Sequence, residues 1–371
     1  ARMSVLEDLG GPDWNMGTAM IADLLFRAHA AGRSIARIPR VMLAQTGRRF
    51  RAARDDYARM LQAQPRLAGA IVDGRTSDSF ALFRPFAAEQ AFRVTIIIPT
   101  CRSLQPDGIS SYVERVLGEI RRVDWPMDKL TVLIGDDVSG EPAWEREDWP
   151  FTLRRVETAR EPDAPFNYAA KMNRLWRAAE TEHVILLNDD CRPTSPDWLR
   201  ALMTFAVEKD VGGVGARLLY DNGRLQHAGL VPHGIAAAHA WLFRENSEGT
   251  YQDWALVQRE WSMVTGAVFA TRRSVLEQVN GFEERFSLEF NDSDLCLRLR
   301  ALGYRIVCTP LAEMVHTEKA SRGERLPPGE DVALFLSRWR TWFDSDPSWH
   351  PHLRRDCLEV MPAIDRGAWY L

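Results

Sequence analysis

Three groups of polar residues have the types and spacing for chemistry. Asn291-Asp292-Ser293-Asp294 heads a stretch with helical apolar periodicity. Asn188-Asp189-Asp190 follows the apolar run 184–187, and His316 comes six residues after Pro310. A carboxylate held at a helix start suits removal of a proton from a hydroxyl. Aspartates at a strand end offer hard oxygen ligands to Mg²⁺ or Mn²⁺, with coordination positions left open for diphosphate oxygens. Together they suit deprotonation of a hydroxyl beside a metal-bound phosphate. Each group also has an architectural reading. Asp292 fits an N-cap or first-turn acid on the helix dipole. Asp189-Asp190 and Asp136-Asp137 fit turns. His316, on a loop after a strand, is a metal ligand, a phosphate donor or a plain loop residue. The dipole lowers the pKa of Asp292 and burial beside Asp294 raises it, a balance the sequence leaves open.

Alternating strands and helices must position these groups. Strands are expected at 94–98, 131–134, 151–156, 184–187 and 212–220, with a return to the sheet at 264–271 and a strand at 304–308 before Pro310. Helices are expected at 109–122, 167–179 and 292–302, the last burying Leu295, Leu299 and Leu302 and pairing Asp294 with Arg298. This order predicts an α/β fold, a doubly wound and mostly parallel sheet flanked by helices. Ligands in such sheets lie beyond the carboxyl ends of the strands, which here carry Pro99-Thr100, Asp136-Asp137 and Asn188-Asp189-Asp190. Neither a Gly-rich dinucleotide fingerprint nor a P-loop follows the first strand, so a cation held by carboxylates is the expected way to hold phosphates. Gly266-Ala267 would let a sugar ring approach the backbone closely. His227, His233 and His239 have no metal-ligand spacing on a helix and read as structural or surface residues.

Composition narrows the class. The 371 residues are 46% hydrophobic and 26% charged with a formal net charge of −4, which argues against nucleic acid as the main partner. Five scattered cysteines form no C-x-x-C and fit reduced thiols in a cytoplasmic protein. No apolar run approaches the roughly 18 residues of a membrane span. Membrane contact is therefore expected to be peripheral at most, through the segment holding Arg338, Trp339, Arg340 and Trp342, which also reads as a core-packed helix. The chain opens Ala-Arg-Met, and the expectation is a piece cut from a longer polypeptide.

The chain also echoes itself. Residues 4–11 read SVLEDLGG and residues 274–281 read SVLEQVNG. Asp23-Leu24, Arg27, Gly32, Ile35 and Pro39 then match Asp294-Leu295, Arg298, Gly303, Ile306 and Pro310, with one residue missing between the blocks. Met20 and Ile21 stand where Asn291 and Asp292 stand, and Gln45 stands where His316 stands. Residues 1 to about 45 therefore read as the chemically blank tail of a preceding copy of one domain. Residues 48–65 look helical and 72–92 like a linker. The expected domains are an N-terminal segment 1–91, a main domain 92–355 and a tail 356–371. The main domain divides into a nucleotide half 92–210, an acceptor half 211–325 and a closing helix and motif 326–355.

The motifs VTIIIPT, LNDD, QHAGLV, VTGAVFATRRSVLEQVNGFEERF, NDSDLCLRLRALGYRIVCTP and HTEKASRG occur in that order. Over about residues 93–353 they resemble the inverting glycosyltransferases of family 2, of GT-A fold, closest to the bacterial rhamnosyltransferase-like subgroup that builds O-antigen and related polysaccharides. The closing DPSWHPHL at 346–353 resembles that subgroup's end motif. The resemblance implies roles position by position. Pro99, Thr100, Asp136, Asn173 and Asp189 would border the nucleotide-sugar. Asp190 would hold the metal, Mn²⁺ or Mg²⁺, and His316 would reach it or the diphosphate. Thr265, Gly266 and Asn291 would line the acceptor pocket, Asp292 would be the base, and Arg322 would neutralise the leaving diphosphate. Asn188 opens the DxD-like motif and Asn291 replaces the usual Glu, both departures from the pattern. The implied partners are a UDP- or dTDP-sugar donor, a glycan or lipid-linked glycan acceptor, and other glycosyltransferase domains of a longer parent. The implied place is the cytoplasm or the inner face of its membrane. Two rivals are a non-catalytic binding module of the same fold and a sugar nucleotidyltransferase. The second is disfavoured because Thr100-Cys101-Arg102-Ser103 lacks a glycine loop.

Overall fold

The computed structural model describes residues 3–35, 54–64, 67, 69–76, 79–159, 165–233, 236–246, 250, 253–317, 327–349, 353–354 and 358. Pro39, Gln45 and Arg322 lie outside the described residues. The chain divides into two units, Ala1–Arg84 and Pro85–Leu371.

The first unit holds α1 (Met3–Asp8), α2 (Met20–Ala30), α3 (Arg54–Gln62), β1 (Ile71–Asp73) and β2 (Phe80–Leu82). The stretch read as a linker from residue 72 contains a hairpin instead, with β1 antiparallel to β2 and Ile71 opposite Leu82. Its Gly and Ser residues serve the turn, where Gly74 N–H donates to Ser79 O at 2.9 Å.

The second unit begins a few residues before the start expected near Phe92, because Lys129 Nζ binds the carbonyls of Ala88 and Ala91. Its first half runs β3 (Val94–Thr100), α4 (Tyr112–Ile120), β4 (Leu130–Asp136), β5 (Thr152–Glu157), α5 (Tyr168–Ala178), β6 (His183–Leu187), β7 (Cys191–Pro193) and α6 (Trp198–Ala206). The second half continues with β8 (Val211–Leu219), β9 (Leu225–His227), β10 (Leu230–His233), β11 (Ala236–His239), β12 (Arg259–Trp261) and β13 (Val268–Arg272). It closes with α7 (Arg273–Gln278), α8 (Asn291–Ala301), β14 (Arg305–His316) and α9 (Gly329–Asp344).

One sheet orders its strands β12-β14-β8-β13-β6-β3-β4-β5, with β7 on β14 and β9 on β8. β6, β3, β4 and β5 pair in parallel, β13 runs against both β6 and β8, and β14 is parallel to β8. All of this path except β13 and β12 therefore points one way, which is the mostly parallel α/β sheet expected. Val94, Ile96, Ile97 and Ile98 of β3 have no exposed surface, each contributing about 1.5–3 kcal/mol by burial. Ser111 caps α4 through a reciprocal bond with Glu114. The helix buries Val113, Val116, Leu117 and Ile120, the face its periodicity predicts.

Two local expectations are corrected. β14 does not stop before Pro310. It runs twelve residues to His316, with a register irregularity between Thr309 and Glu313. The missing N–H of Pro310 falls inside that irregularity, where no ladder bond depends on it. Leu302 is 54% exposed. It follows the last turn of α8, and Gly303 at φ 91° turns the chain away. Leu295, Leu297 and Leu299 are the buried leucines of α8.

The sequence echo has a geometric counterpart. α1 and α7 are each six residues long, α2 and α8 each eleven. Gly11 and Gly281 both sit at φ 70°. Arg27 Nε donates to Asp23 Oδ2 at 2.8 Å, and Arg298 Nε donates to Asp294 Oδ2 at 2.7 Å. Arg27 Nη1 donates to Leu9 O, as Arg298 Nη1 does to Val279 O.

Candidate active site

Asp292 stands in the first turn of α8, preceded by Phe290 at φ 59°. Its Oδ1 accepts the Ser293 N–H at 2.7 Å and its Oδ2 the Gly266 N–H at 2.9 Å. The carboxylate is half-buried, so a hydroxyl can reach it. Each oxygen keeps acceptor capacity beyond these bonds. A Cβ on Gly266 would lie 3.2 Å from Asp292 Cβ, so the glycine lets the backbone approach Asp292 closely. Asp294, two residues on, points elsewhere. It has no exposed surface and accepts from Arg298 Nε, Arg338 Nη1 and Trp339 Nε1.

The segment 265–267 joins Asp292 to the aspartate turn after β6. Gly266 N–H reaches the Asp292 carboxylate, while Ala267 O accepts the Asn188 N–H at 2.9 Å. In that turn Asp189 Oδ2 accepts the Thr100 hydroxyl at 2.6 Å. Burial pushes the Asp189 carboxyl up to about 6, with the Thr100 bond pulling down and neighbouring Asp190 adding to the rise. Asp190 is buried, and its Oδ1 is 3.2 Å from His316 Nε2.

His316 is not on a loop. It is the last residue of β14, opposite Cys191 of β7. Gln226, on β9, holds it twice. Gln226 Nε2 donates to His316 O at 3.3 Å, which turns Gln226 Oε1 toward His316 Nδ1 at 2.7 Å. An amide oxygen only accepts, so Nδ1 carries a proton. In the neutral imidazole, Nε2 then presents a lone pair to a carboxylate oxygen, and two acceptors at that separation need a proton or a cation between them.

Asp190, Cys191 and His316 each bring one donor atom within 4.8 Å of the others. Burial, with Asp190 and Asp189 nearby, pushes the Cys191 thiol well above its ordinary range. Its Sγ is bonded to Ala267 O at 3.8 Å. A protonated thiol is a poor cation ligand, which leaves Asp190 and His316 as an oxygen–nitrogen pair that could hold a divalent cation.

Other expected residues take different places. Thr100 joins the site through Asp189, and Pro99 sits beside it, half-buried at the end of β3. Asp136 has no exposed surface and accepts from Arg102 Nε and Nη2, Arg155 Nη1 and Val138 N–H. A base or ribose would meet this carboxylate already occupied by Arg102. Asn173 uses both amide hydrogens on Phe282 O and Glu284, and its oxygen on Phe282 N–H and Trp176 Nε1. It staples α5 to the 282–284 loop, with no hydrogen left for a nucleotide. Asn291 is buried and donates to Leu288 O at 2.5 Å, inside its own turn. Thr265 is half-buried beside the base segment.

Sequence reasoning missed Gln226, Arg102 and Lys171. Lys171 is buried on α5, its Nζ 2.8 Å from Asp137 Oδ2 and donating to Thr100 O. The one signal was Gln226 directly before His227 in a motif with no assigned role.

A family model described as "Glycosyltransferase like family 2" matches residues 91–328. The uncharacterized protein y4gI of Sinorhizobium fredii is 35% identical over 268 residues, 70% of this chain and 29% of that protein. The O-antigen biosynthesis protein RfbC of Myxococcus xanthus is 34% identical over 268 residues, 70% of this chain and 20% of that protein. The chain thus spans less than a third of either relative's length. Among solved structures, the mannosyltransferase PcManGT from Pyrobaculum calidifontis, in complex with GDP-Man and Mn²⁺, has a TM-score of 0.43 at 22% identity over 62% of this chain and 58% of that one. No helix among the described residues is long and apolar enough to cross a membrane.

Proposed function

Since this chain belongs to the glycosyltransferase like family 2, we propose that it moves a sugar from a nucleotide-sugar donor to a hydroxyl of a growing glycan, with inversion. The observation that carries this reading is the segment 265–267, bonded through Gly266 to Asp292 and through Ala267 to the turn that bears Asp189 and Asp190. It puts a proton acceptor and a candidate diphosphate site on the two sides of one short stretch of backbone. Asp292 takes the acceptor hydroxyl's proton. The freed oxygen bonds to the anomeric carbon from the face opposite the leaving group. The bond from that carbon to the diphosphate breaks, and its electron pair leaves with the nucleoside diphosphate. Gly266 and Ser293 N–H groups hold the carboxylate in place through proton transfer. Asp190 and His316 would hold Mn²⁺ or Mg²⁺, which when bound supplies positive charge for the diphosphate oxygens.

The name of the RfbC relative supports surface-polysaccharide synthesis of the O-antigen kind as the setting. In that setting the donor is a UDP- or dTDP-sugar, the acceptor is a glycan or lipid-linked glycan, and the protein works in the cytoplasm near the membrane. The matched helix pairs α1–α2 and α7–α8 support reading the N-terminal unit as the end of a preceding copy of the fold, without the counterpart of Asp292.

The test is calorimetric binding of UDP, dTDP and GDP with Mn²⁺, with Mg²⁺ and with EDTA, followed by nucleoside diphosphate release from a donor screen. The expected result is binding that needs the cation, with Asp190→Asn abolishing the cation's contribution. Binding equally tight in EDTA would overturn the metal assignment, and absence of sugar transfer with every donor and glycan acceptor tried would overturn the activity.

A further inference from the structure

The segment 265–267 makes one contact to a buried imidazole that the proposed chemistry does not use. Gly266 N–H goes to Asp292, Ala267 N–H to Thr265 Oγ1 at 3.4 Å, and Ala267 O to Asn188 N–H. The Thr265 N–H donates to His227 Nε2 at 3.4 Å. His227 ends β9 and has no exposed surface. An imidazole that accepts at Nε2 keeps its one proton on Nδ1. That atom lies 3.0 Å from His239 Nδ1 on β11, so His227 is the donor of the pair and His239 carries its own proton on Nε2. The rings meet edge to face, with centroids 4.9 Å apart. Burial, with His239 and His316 nearby, holds His227 well below the ordinary imidazole range. It is neutral, and its tautomer is defined at neutral pH.

Among the described residues, backbone pairing reaches this segment at Ala267 and not at Thr265 or Gly266. Leu230 N–H to Met263 O at 3.0 Å ties the chain two residues before Thr265, and the Asn188 bond ties it at Ala267. Between those anchors the two N–H groups that face side chains meet His227 and Asp292. We infer that His227, kept in one tautomer by His239, is a positioning residue: it holds the Thr265–Gly266 peptide where Gly266 N–H reaches Asp292 Oδ2. The inference rests on the reading of Asp292 as the base. It assigns to the His227–His239 pair a role in turnover rather than in donor binding or in packing alone.

The experiment compares His227→Gln, His227→Asn and His227→Leu with Asp292→Asn in the same assay. It measures kcat, donor KM and melting temperature, at a temperature well below every melting point. Glutamine carries an acceptor oxygen and a donor NH₂ group on a planar end, as the neutral imidazole carries an acceptor and a donor nitrogen. Asparagine carries the same groups one methylene short, and leucine carries neither. The expected result is a fall in kcat of about 10²-fold for leucine and asparagine, donor KM unchanged, and most of the loss restored by glutamine. If leucine fails to fold, the glutamine–asparagine comparison decides the matter. Wild-type kcat in the asparagine and leucine proteins, beside a strong loss in Asp292→Asn, would overturn the positioning role. Wild-type turnover in Asp292→Asn itself would instead remove the base assignment, and the inference with it.

Discussion

Replacing Asp292 with asparagine is expected to lower kcat by about 10²–10⁴-fold, the range lost with a well-placed general base. The substitution preserves shape and changes basicity. The amide has a single oxygen, so it can accept from Gly266 N–H or Ser293 N–H but not from both through separate oxygens, as the carboxylate does. The stability cost is one hydrogen bond, about 0.5–1.5 kcal/mol. Nucleoside diphosphate binding should stay near wild-type, because Asp190 and His316 are untouched. The informative measurements are single-turnover sugar transfer and calorimetric binding on the same preparation. A folded Asp292→Asn protein that transfers sugar at the wild-type rate would sink the assignment.

Asp294→Ala is expected to do the reverse, leaving chemistry intact and weakening the fold. Asp294 has no exposed surface and accepts from Arg298, Arg338 and Trp339. Removing it cuts the ties of Arg338 and Trp339 from α9 to α8 and takes one acceptor from Arg298, while Arg298 keeps Val279 O and Arg338 keeps Glu283. Breaking a buried pair by deleting one partner costs about 3–5 kcal/mol. Both arginine side chains keep some solvent access, 21% and 25%, which places the expectation near the lower end, about 3 kcal/mol. Urea denaturation followed by tryptophan fluorescence measures it. A loss under about 1 kcal/mol would mean that water already screens the pair. Activity per folded molecule should survive, since Asp292 is held by Gly266 and Ser293 rather than by Asp294. The N-terminal unit separates the two roles in the same way: Asp23 keeps its bond to Arg27, while Ile21 occupies the position that corresponds to Asp292.

Much of the scaffold was legible because its signals are local. The β-branched run of β3, the Ser111–Glu114 cap of α4 and the Asp294–Arg298 spacing are each written within a few residues. What stayed hidden depends on partners far along the chain. Pro310 looked like a strand end, and only pairing of β14 with β8 and β7 shows the strand resuming toward His316. Asn173 resembled a nucleotide contact by position, yet its partners at 282 and 284 lie more than a hundred residues away. The resemblance puts Asp136 beside the nucleotide, and nothing local reveals that Arg102, at φ 56°, folds back onto it. The hairpin at 71–82 falls almost wholly within the stretch 72–92 that reads as a linker, because Gly and Ser serve both. In the candidate site the chemical residue types were visible, and the groups that aim them, Gln226 and His227, were not.

The spacing of these bonds along the chain also sets an order in time. Arg298 reaches Val279 across 19 residues, whereas the Arg217–Glu313 pair of β8 and β14 closes across 96. Loop-closure entropy separates the two by about 1.4 kcal/mol, and contacts between distant residues form late in folding. The α7–α8 hairpin that presents Asp292 is therefore expected to gain amide protection before the end of β14 that presents His316. Pulse-labelled hydrogen exchange during refolding reads that order directly, and simultaneous protection of Leu299 and Val315 would contradict it. During synthesis or recovery from stress, the part of the site that bears Asp292 would then exist for a time without the part that bears His316.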